Sequence, residues 1–195
     1  KVVVAVLPSA VIGVLLDDWM DAHLYNYIVV AVTLVLYGVA FLYMENLNKT
    51  RTMRVENVYN IDYRTAILIG CFQCLSLIPG TSRSGSTILG AIILGVGRSA
   101  GAEFSFFLAI PTMLGASALK LLKYGLDIMQ GEAVMPTVLE LEVLLVGTVV
   151  AFVVSLLVIK GLMEYVRKRS FAAFGIYRIV LGAVVLAYFL LVGNK

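Results

Sequence analysis

Long apolar runs without charged side chains recur along this chain and limit the folds that are open to it. Residues 27–44 form such a run, and a helix needs roughly 20 apolar residues to cross the hydrocarbon core of a bilayer. The other runs cover residues 2–16, 104–119, 143–159 and, apart from one arginine, 171–192. In hydrocarbon every backbone polar group must be bonded within the protein, which a helix achieves inside its own segment. The sequence therefore predicts an all-α, polytopic integral membrane protein.

The composition supports the same class. Hydrophobic residues make up 61% of the chain and charged residues 14%, whereas soluble domains are roughly half apolar and a quarter charged. The net charge of +3 says little about partners. We expect membrane lipids around the chain and no nucleic-acid partner, and we treat residues 1–195 as a single transmembrane domain.

Two apolar stretches are too short to span a bilayer. At about 1.5 Å per residue, residues 65–78 and 88–96 would extend only about 21 and 14 Å as helices, against about 30 Å for the hydrocarbon core. A polar, glycine-containing loop joins them. Irregular backbone at membrane depth is tolerated where it lines a cavity or lies within protein. We therefore predict a re-entrant helical hairpin over residues 65–96.

The distribution of charge predicts which connections share a side of the membrane. Two connections, 45–64 and 160–170, are rich in basic residues, which is typical of the cytoplasmic side. The basic residues are Lys49, Arg51, Arg54, Arg64, Lys160, Arg167, Lys168 and Arg169. The connection after residue 16 carries only acidic charges near its start, Asp17, Asp18 and Asp21. Both basic connections lie on one side only if residues 65–96 enter and leave the membrane at the same face, which favours the hairpin.

The loop of this hairpin has the composition of an anion site. Five hydroxyl side chains lie within residues 79–87, and Gly80 and Gly85 allow close backbone approach. Arg83 offers a planar, charged fork that suits phosphate or diphosphate, and the start of a helix favours anions. The hydroxyl residues are Thr81, Ser82, Ser84, Ser86 and Thr87. The alternative is close helix packing, with Arg83 reaching the interface or a carboxylate.

The sequence here resembles a known family. The segment PGTSRSGST at residues 79–87 and GRSAGAEFSFFLAIPTMLGA at 97–116 are similar to the bacterial undecaprenyl-diphosphate phosphatases, the bacitracin-resistance family. GCFQCLSLIPG at 70–80 and FAAFGIYRIVLG at 171–182 also fit. The resemblance implies inverted repeats, each with a re-entrant hairpin: the tail of the first repeat at about 1–44 and the second at about 65–192.

The same resemblance implies an activity and a place in the cell. Members hydrolyse undecaprenyl diphosphate to undecaprenyl phosphate in the bacterial cytoplasmic membrane, which recycles the lipid carrier of cell-wall synthesis. Bacitracin competes by sequestering this substrate. Carried over to this chain, Arg83 would hold the diphosphate, Ser82 would act as a phosphate ligand or nucleophile, and Thr87 would bind phosphate at the helix start. The remaining loop residues, Gly80, Thr81, Ser84, Gly85 and Ser86, would complete the diphosphate site.

Other polar residues have two interpretations each. Gln73 can support the loop or bridge two helices, and Arg98 can back the diphosphate site or lie at the membrane interface. Glu103 suits a helix N-terminus and can also pair with Arg98 or Arg83. Arg178 lies deep enough in 171–192 to need a partner unless it snorkels. The tyrosines near the ends of the apolar runs, Tyr37 among them, are interpreted as interfacial anchors.

One part of the family pattern does not occur in this sequence. The family has an N-terminal motif of acidic residues, serines and a histidine, which would supply the nucleophile, the general acid and the ligands of a divalent metal, Mg or Ca. The only histidine, His23, lacks that context. We therefore expect these groups, including all metal ligands, upstream of this chain or in a second copy of a homodimer. The rival function is a transporter or flippase of a lipid-linked or small anion, which needs only the anion site.

Overall fold

The computed structural model describes residues 1–48, 52–168 and 170–192. Within these ranges the chain forms seven α-helices and no strand. The helices are α1 (Val2–Leu24), α2 (Tyr27–Asn48), α3 (Tyr63–Cys74), α4 (Arg83–Ile93), α5 (Arg98–Gln130), α6 (Val138–Lys168) and α7 (Ala172–Val192). Short 3₁₀ turns at Val58–Asn60 and Leu75–Leu77 precede and follow α3. The predicted all-α class is confirmed.

Four of the described helices contain segments long and apolar enough to cross a membrane. These segments are Tyr27–Leu47, Arg98–Gln130, Val138–Tyr165 and Ala172–Leu191. Most of their side chains are exposed on the outside of the helix assembly, as expected where lipid replaces water as the surrounding medium. The chain is therefore a multi-pass membrane protein.

The predicted ends of four helices are wrong. The α4 helix begins at Arg83 and not after Thr87, so Thr87 lies one turn inside the helix. The α6 helix continues to Lys168, so Lys160 and Arg167, which we placed in a connection, also belong to a helix.

Two further helices extend beyond the apolar runs of the sequence. The α5 helix continues from Arg98 to Gln130 and ends at Gly131, whose φ of 78° closes the helix with a left-handed residue. The α1 helix runs on to Leu24, so the acidic residues that we placed in a connection belong to the helix. Apolar runs indicate which part of a helix contacts lipid, whereas capping residues decide where it ends.

The helices α3 and α4 form the predicted hairpin. The chain enters α3 after Asp62, whose side chain caps the helix by accepting a hydrogen bond from the Thr65 N–H. The segments at the two ends of the hairpin are bonded to each other. The Arg54 N–H donates to the Gly95 carbonyl at 2.8 Å, and the Gly97 N–H donates to the Val55 carbonyl at 2.7 Å. The chain therefore leaves the hairpin at the end where it entered, as the charge pattern predicted.

Both basic connections begin or end at this same end of the protein. Arg98, at the start of α5, donates a hydrogen bond to Glu45 near the end of α2 at 3.1 Å, and Glu45 also accepts from the N–H of Phe171, just before α7. Three of the basic residues, Lys49, Arg51 and Arg169, lie outside the described residues. That this end is cytoplasmic stays a prediction, as does the division into inverted repeats.

Small residues let neighbouring helices approach closely. A Cβ built on Gly38 of α2 would lie 2.7 Å from the Gly175 carbonyl oxygen of α7, and one on Gly182 would lie 2.9 Å from the Ala31 carbonyl oxygen. Gly70 of α3 packs in the same way against the backbone of Ala5 in α1. Close backbone contact of this kind is a main source of helix association in membranes, where apolar burial alone provides little preference.

Candidate anion-binding site

The loop between α3 and α4 is fixed against α2. The Thr33 hydroxyl donates to the Pro79 carbonyl at 2.8 Å. Gly80 follows with a φ of 85°, and a Cβ at this position would lie 2.6 Å from the Val30 carbonyl oxygen. Both the left-handed backbone and the close approach require glycine. The position of the loop is therefore set by α2 as well as by its own hairpin.

The first turn of α4 is built around Ser82. This residue is the N-cap, and its hydroxyl oxygen accepts a hydrogen bond from the Gly85 N–H at 3.1 Å. The Ser84 hydroxyl lies 3.3 Å from that of Ser82. Arg83 is the first helical residue. The loop thus presents a helix N-terminus, two neighbouring hydroxyls and a guanidinium together, which is a favourable arrangement for an anion.

The other three loop hydroxyls are also bonded within the protein. Thr81 donates to backbone carbonyls of the preceding 3₁₀ turn. Ser86 is 1% exposed and its hydroxyl lies 2.8 Å from that of Tyr37. Thr87, also 1% exposed, lies with its hydroxyl 2.6 Å from that of Ser105 in α5. These bonds hold α4 against α2 and α5, and the predicted contacts of these side chains with phosphate stay predictions.

Arg83 has no carboxylate partner among the described residues. Its side chain is partly buried, and the Nη1 atom is buried without a hydrogen-bond acceptor. Leaving a charged donor unpaired in a low-dielectric environment is costly. An arginine placed this way within apolar helices indicates a functional role, because packing alone would favour an apolar side chain. The alternative in which Arg83 reaches a carboxylate finds no such partner here.

Arg178 of α7 finds its partner at the same loop. Its guanidinium donates a hydrogen bond to the Gly80 carbonyl and lies 5.6 Å from the centre of the Tyr37 ring, a distance at which cation–π attraction operates. Its Nε atom is buried and has no partner. The sequence indicated that Arg178 needed a partner without identifying one. Tyr37, which we interpreted as an interfacial anchor, instead connects Ser86 and Arg178.

A cavity of about 120 Å³ opens beside the loop. Its polar residues come from the loop and from α7, and the rest of the wall is apolar. The polar residues are Ser82, Ser84 and Arg178, and the aromatic residues are Phe41, Phe106, Phe171 and Phe174. Three of the predicted loop residues, Ser82, Ser84 and Gly85, therefore line this cavity. Arg178, which was not among the predicted diphosphate ligands, lines it as well.

Gln73, Arg98 and Glu103, the polar residues with two interpretations in the sequence, have different surroundings. Gln73 is 1% exposed, and its amide nitrogen donates to the hydroxyls of Ser9 at 2.6 Å and Thr112 at 3.3 Å. It therefore bridges α1, α3 and α5. Arg98 forms an ion pair with Glu45 and not with a loop residue. Glu103, in the second turn of α5, pairs with neither Arg98 nor Arg83.

The described residues do not form a metal site. No three His, Cys, Asp or Glu side chains within them lie close enough together to hold an ion. The divalent metal implied by the resemblance therefore has no such ligand set among the described residues.

The chain is similar to known proteins over nearly its whole length. The family model described as bacitracin resistance protein BacA matches residues 1–184. An undecaprenyl-diphosphatase of Enterococcus faecalis is 56% identical over 186 residues, which cover 95% of this chain and 64% of that protein. The undecaprenyl-diphosphatase of Lactiplantibacillus plantarum is 54% identical, with 98% of this chain and 68% of that protein covered.

A third relative, an undecaprenyl-diphosphatase of Acetivibrio thermocellus, is 53% identical over 192 residues. The chain spans 64% to 68% of the length of these three relatives. Matches of this extent and identity establish the family, and the chain belongs to the family of the bacitracin resistance protein BacA.

Proposed function

We propose that this chain provides the diphosphate-binding part of a membrane phosphatase that hydrolyses undecaprenyl diphosphate to undecaprenyl phosphate and phosphate. The observation that carries the proposal is Arg83, whose guanidinium has no carboxylate partner among the described residues and lies at the N-terminus of α4 beside Ser82 and Ser84. Relatives that are 53% to 56% identical to this chain are named undecaprenyl-diphosphatases. An apolar surface around this loop suits a substrate with a long prenyl tail.

The loop contributes electrostatic stabilisation to such a reaction. Cleaving a phosphoanhydride bond redistributes negative charge over the phosphoryl group under attack and the leaving phosphate, and fixed donors in a low-dielectric site stabilise such charge. Arg83 and the free N–H groups of the first turn of α4 would act in this way on the diphosphate. Ser82 holds the turn in place, since its hydroxyl already accepts the Gly85 N–H. Ser82 is therefore better suited to bind phosphate than to attack it.

The remaining parts of the proposal concern the whole protein. The nucleophile, the general acid and a divalent metal would come from residues that this chain does not contain, or from a second copy in a homodimer. The bacterial cytoplasmic membrane would be the site of action, because the lipid carrier resides there. Bacitracin would inhibit the reaction by sequestering the substrate.

The test follows phosphate release from farnesyl and undecaprenyl diphosphate in detergent, using the full gene product that contains this chain. We expect Arg83→Ala to lower kcat/KM by about 10²- to 10³-fold, since removing one preorganised donor from a charge-stabilising site has effects of this size. The kcat/KM of Arg83→Lys should lie between those of Arg83→Ala and the wild type, because a lysine keeps the charge but cannot bind two oxygens in one plane. Arg64→Gln is the control, since Arg64 is an exposed arginine in the first turn of α3.

Failure of the wild type to release phosphate from either lipid, with and without added Mg²⁺ or Ca²⁺, would refute the phosphatase. In that case, transfer of a labelled prenyl diphosphate between the leaflets of proteoliposomes would test the rival transporter. A normal rate in Arg83→Ala would leave the phosphatase in place but remove this loop from its active site.

A further inference from the structure

A second guanidinium approaches the loop from the side of α7. Arg178 has no carboxylate partner among the described residues, and its contacts are the Gly80 carbonyl and the face of Tyr37. Neither contact neutralises its charge, and its Nε atom is still without an acceptor. With Arg83 this places two uncompensated positive charges at one loop. A diphosphate carries at least two negative charges, so a single guanidinium would leave part of that charge unpaired.

The cavity that Arg178 lines has both polar and aromatic walls. Ser82 and Ser84 line it together with Arg178, and Phe106, Phe171 and Phe174 are among its apolar residues. Arg83 does not line this cavity. The cavity thus combines a cation and two hydroxyl residues with an aromatic wall, which matches a phosphate group bonded directly to hydrocarbon.

We propose that Arg178, with Ser82 and Ser84, binds the phosphate that is attached to the prenyl chain, while Arg83 binds the terminal phosphate. The first isoprene units would then lie against the aromatic wall of the cavity. This inference rests on the proposed function, because it assigns the two phosphates of that substrate to two arginines. The aromatic wall of the cavity is the reason for assigning the prenyl-linked phosphate to Arg178, since only that phosphate is followed by hydrocarbon.

The reaction gives this second subsite a defined task. The oxygen of the nucleophile forms a bond to the terminal phosphorus, and the bond from that phosphorus to the bridging oxygen breaks. The bridging oxygen stays on the prenyl phosphate and keeps the electron pair of the broken bond, so this phosphate gains negative charge. Over the whole reaction one water is consumed: its oxygen ends on the released phosphate and one of its protons leaves with the products. Arg178 would stabilise the charge on the leaving prenyl phosphate and would also contact it as a product.

The two arginines should therefore respond to different inhibitors. Farnesyl monophosphate carries the phosphate and prenyl units of the leaving product, whereas inorganic phosphate corresponds to the terminal group. In the full gene product we expect Arg178→Gln to raise the inhibition constant for farnesyl monophosphate roughly tenfold or more, the effect of losing a hydrogen bond to a charged group. Its inhibition constant for inorganic phosphate should change little. Arg83→Lys should show the opposite pattern.

Further variants separate binding from support of the loop. Arg178→Gln keeps an N–H donor for the Gly80 carbonyl but removes the charge, whereas Arg178→Lys keeps the charge. If charge is what matters, the lysine variant should bind farnesyl monophosphate more tightly than the glutamine variant. Ser84→Ala removes a hydroxyl that lines the cavity and bonds only to Ser82. This substitution should weaken the binding of farnesyl monophosphate by several-fold and leave the melting temperature near that of wild type.

Direct binding of farnesyl monophosphate to the purified variants, with Arg64→Gln as control, keeps the test independent of turnover. Unchanged binding in Arg178→Gln and Ser84→Ala, in protein that melts like wild type, would overturn the subsite. An equal loss of binding for farnesyl monophosphate and inorganic phosphate in every Arg178 variant would also overturn the subsite. It would mean that Arg178 only holds the loop in position. A wild type that binds farnesyl monophosphate but hydrolyses no diphosphate would refute the proposed function alone.

Discussion

Gly80 offers a direct test of how the loop is held, because two other glycines share its backbone conformation. Gly80 and Gly95 both have a φ of 85°, and Gly131 has a φ of 78°. A residue with a Cβ in this left-handed region costs about 1–2 kcal/mol. Substitution by alanine should therefore carry a similar backbone cost at all three positions. Any further difference in stability must come from what the new Cβ meets.

The space around the three positions differs sharply. At Gly131 a Cβ would have nothing within 4 Å, and at Gly95 the nearest atom would be the Arg54 Cδ at 3.4 Å, an ordinary contact. At Gly80 it would lie 2.6 Å from the Val30 carbonyl oxygen and 2.8 Å from the Val30 Cα. These are backbone atoms of α2 that cannot rotate away, so the loop must move. Overpacking of this kind adds about 1–3 kcal/mol.

We therefore expect Gly80→Ala to destabilise the protein by about 2–5 kcal/mol and Gly131→Ala by about 1–2 kcal/mol. For a chain of this size each kcal/mol lowers the melting temperature by roughly 2–4 °C. Thermal unfolding in detergent measures the difference, and phosphate release measures its effect on the loop. A small displacement of reacting groups can reduce turnover by about 10²-fold, so only Gly80→Ala should lose most activity.

The expectation is contradicted if Gly80→Ala and Gly131→Ala melt within about 1 °C of each other and turn over substrate at equal rates. That result would mean that the loop does not rest on the backbone of α2. Gly95→Ala is the second control, because it has the φ of Gly80 and lies in the same hairpin without the close contact.

Two further predictions concern the packing that supports the site. Thr87→Val leaves the buried Ser105 hydroxyl without its 2.6 Å partner, so we expect a loss of about 1–3 kcal/mol in thermal unfolding; an increase in KM with unchanged stability would instead favour the predicted phosphate contact. Gly38→Val places a side chain against the Gly175 carbonyl oxygen, which lies 2.7 Å from the Cβ position, and should lower the melting temperature by several degrees. Gly147→Val on α6, where a Cβ meets nothing within 4 Å, is its control and should melt close to wild type.

Much of the architecture could be predicted because it depends on neighbouring residues. Apolar runs locate membrane helices, since a helix satisfies its backbone only within its own segment. The hairpin over 65–96 followed from two runs that are too short to cross and from basic residues on both sides of them. Gly80 adopts the left-handed conformation, as its residue type favours. Even here the start of α4 and the ends of α1, α5 and α6 were wrong, because hydropathy does not determine where a helix is capped.

The partners of the polar side chains were decided only by the tertiary structure. Nothing within a few residues of Arg178 indicates that it bonds to Gly80, 98 residues away. The sequence left Arg98 with two interpretations until α2 placed Glu45 beside it. Five hydroxyls in the loop were equivalent in sequence, yet only those of Ser82 and Ser84 line the cavity. The sequence by itself determined the membrane helices, the hairpin and a loop suited to anions. The packing of α2, α5 and α7 around that loop decided which of its groups are free to bind, because a side chain's partner depends on the helix that lies next to it.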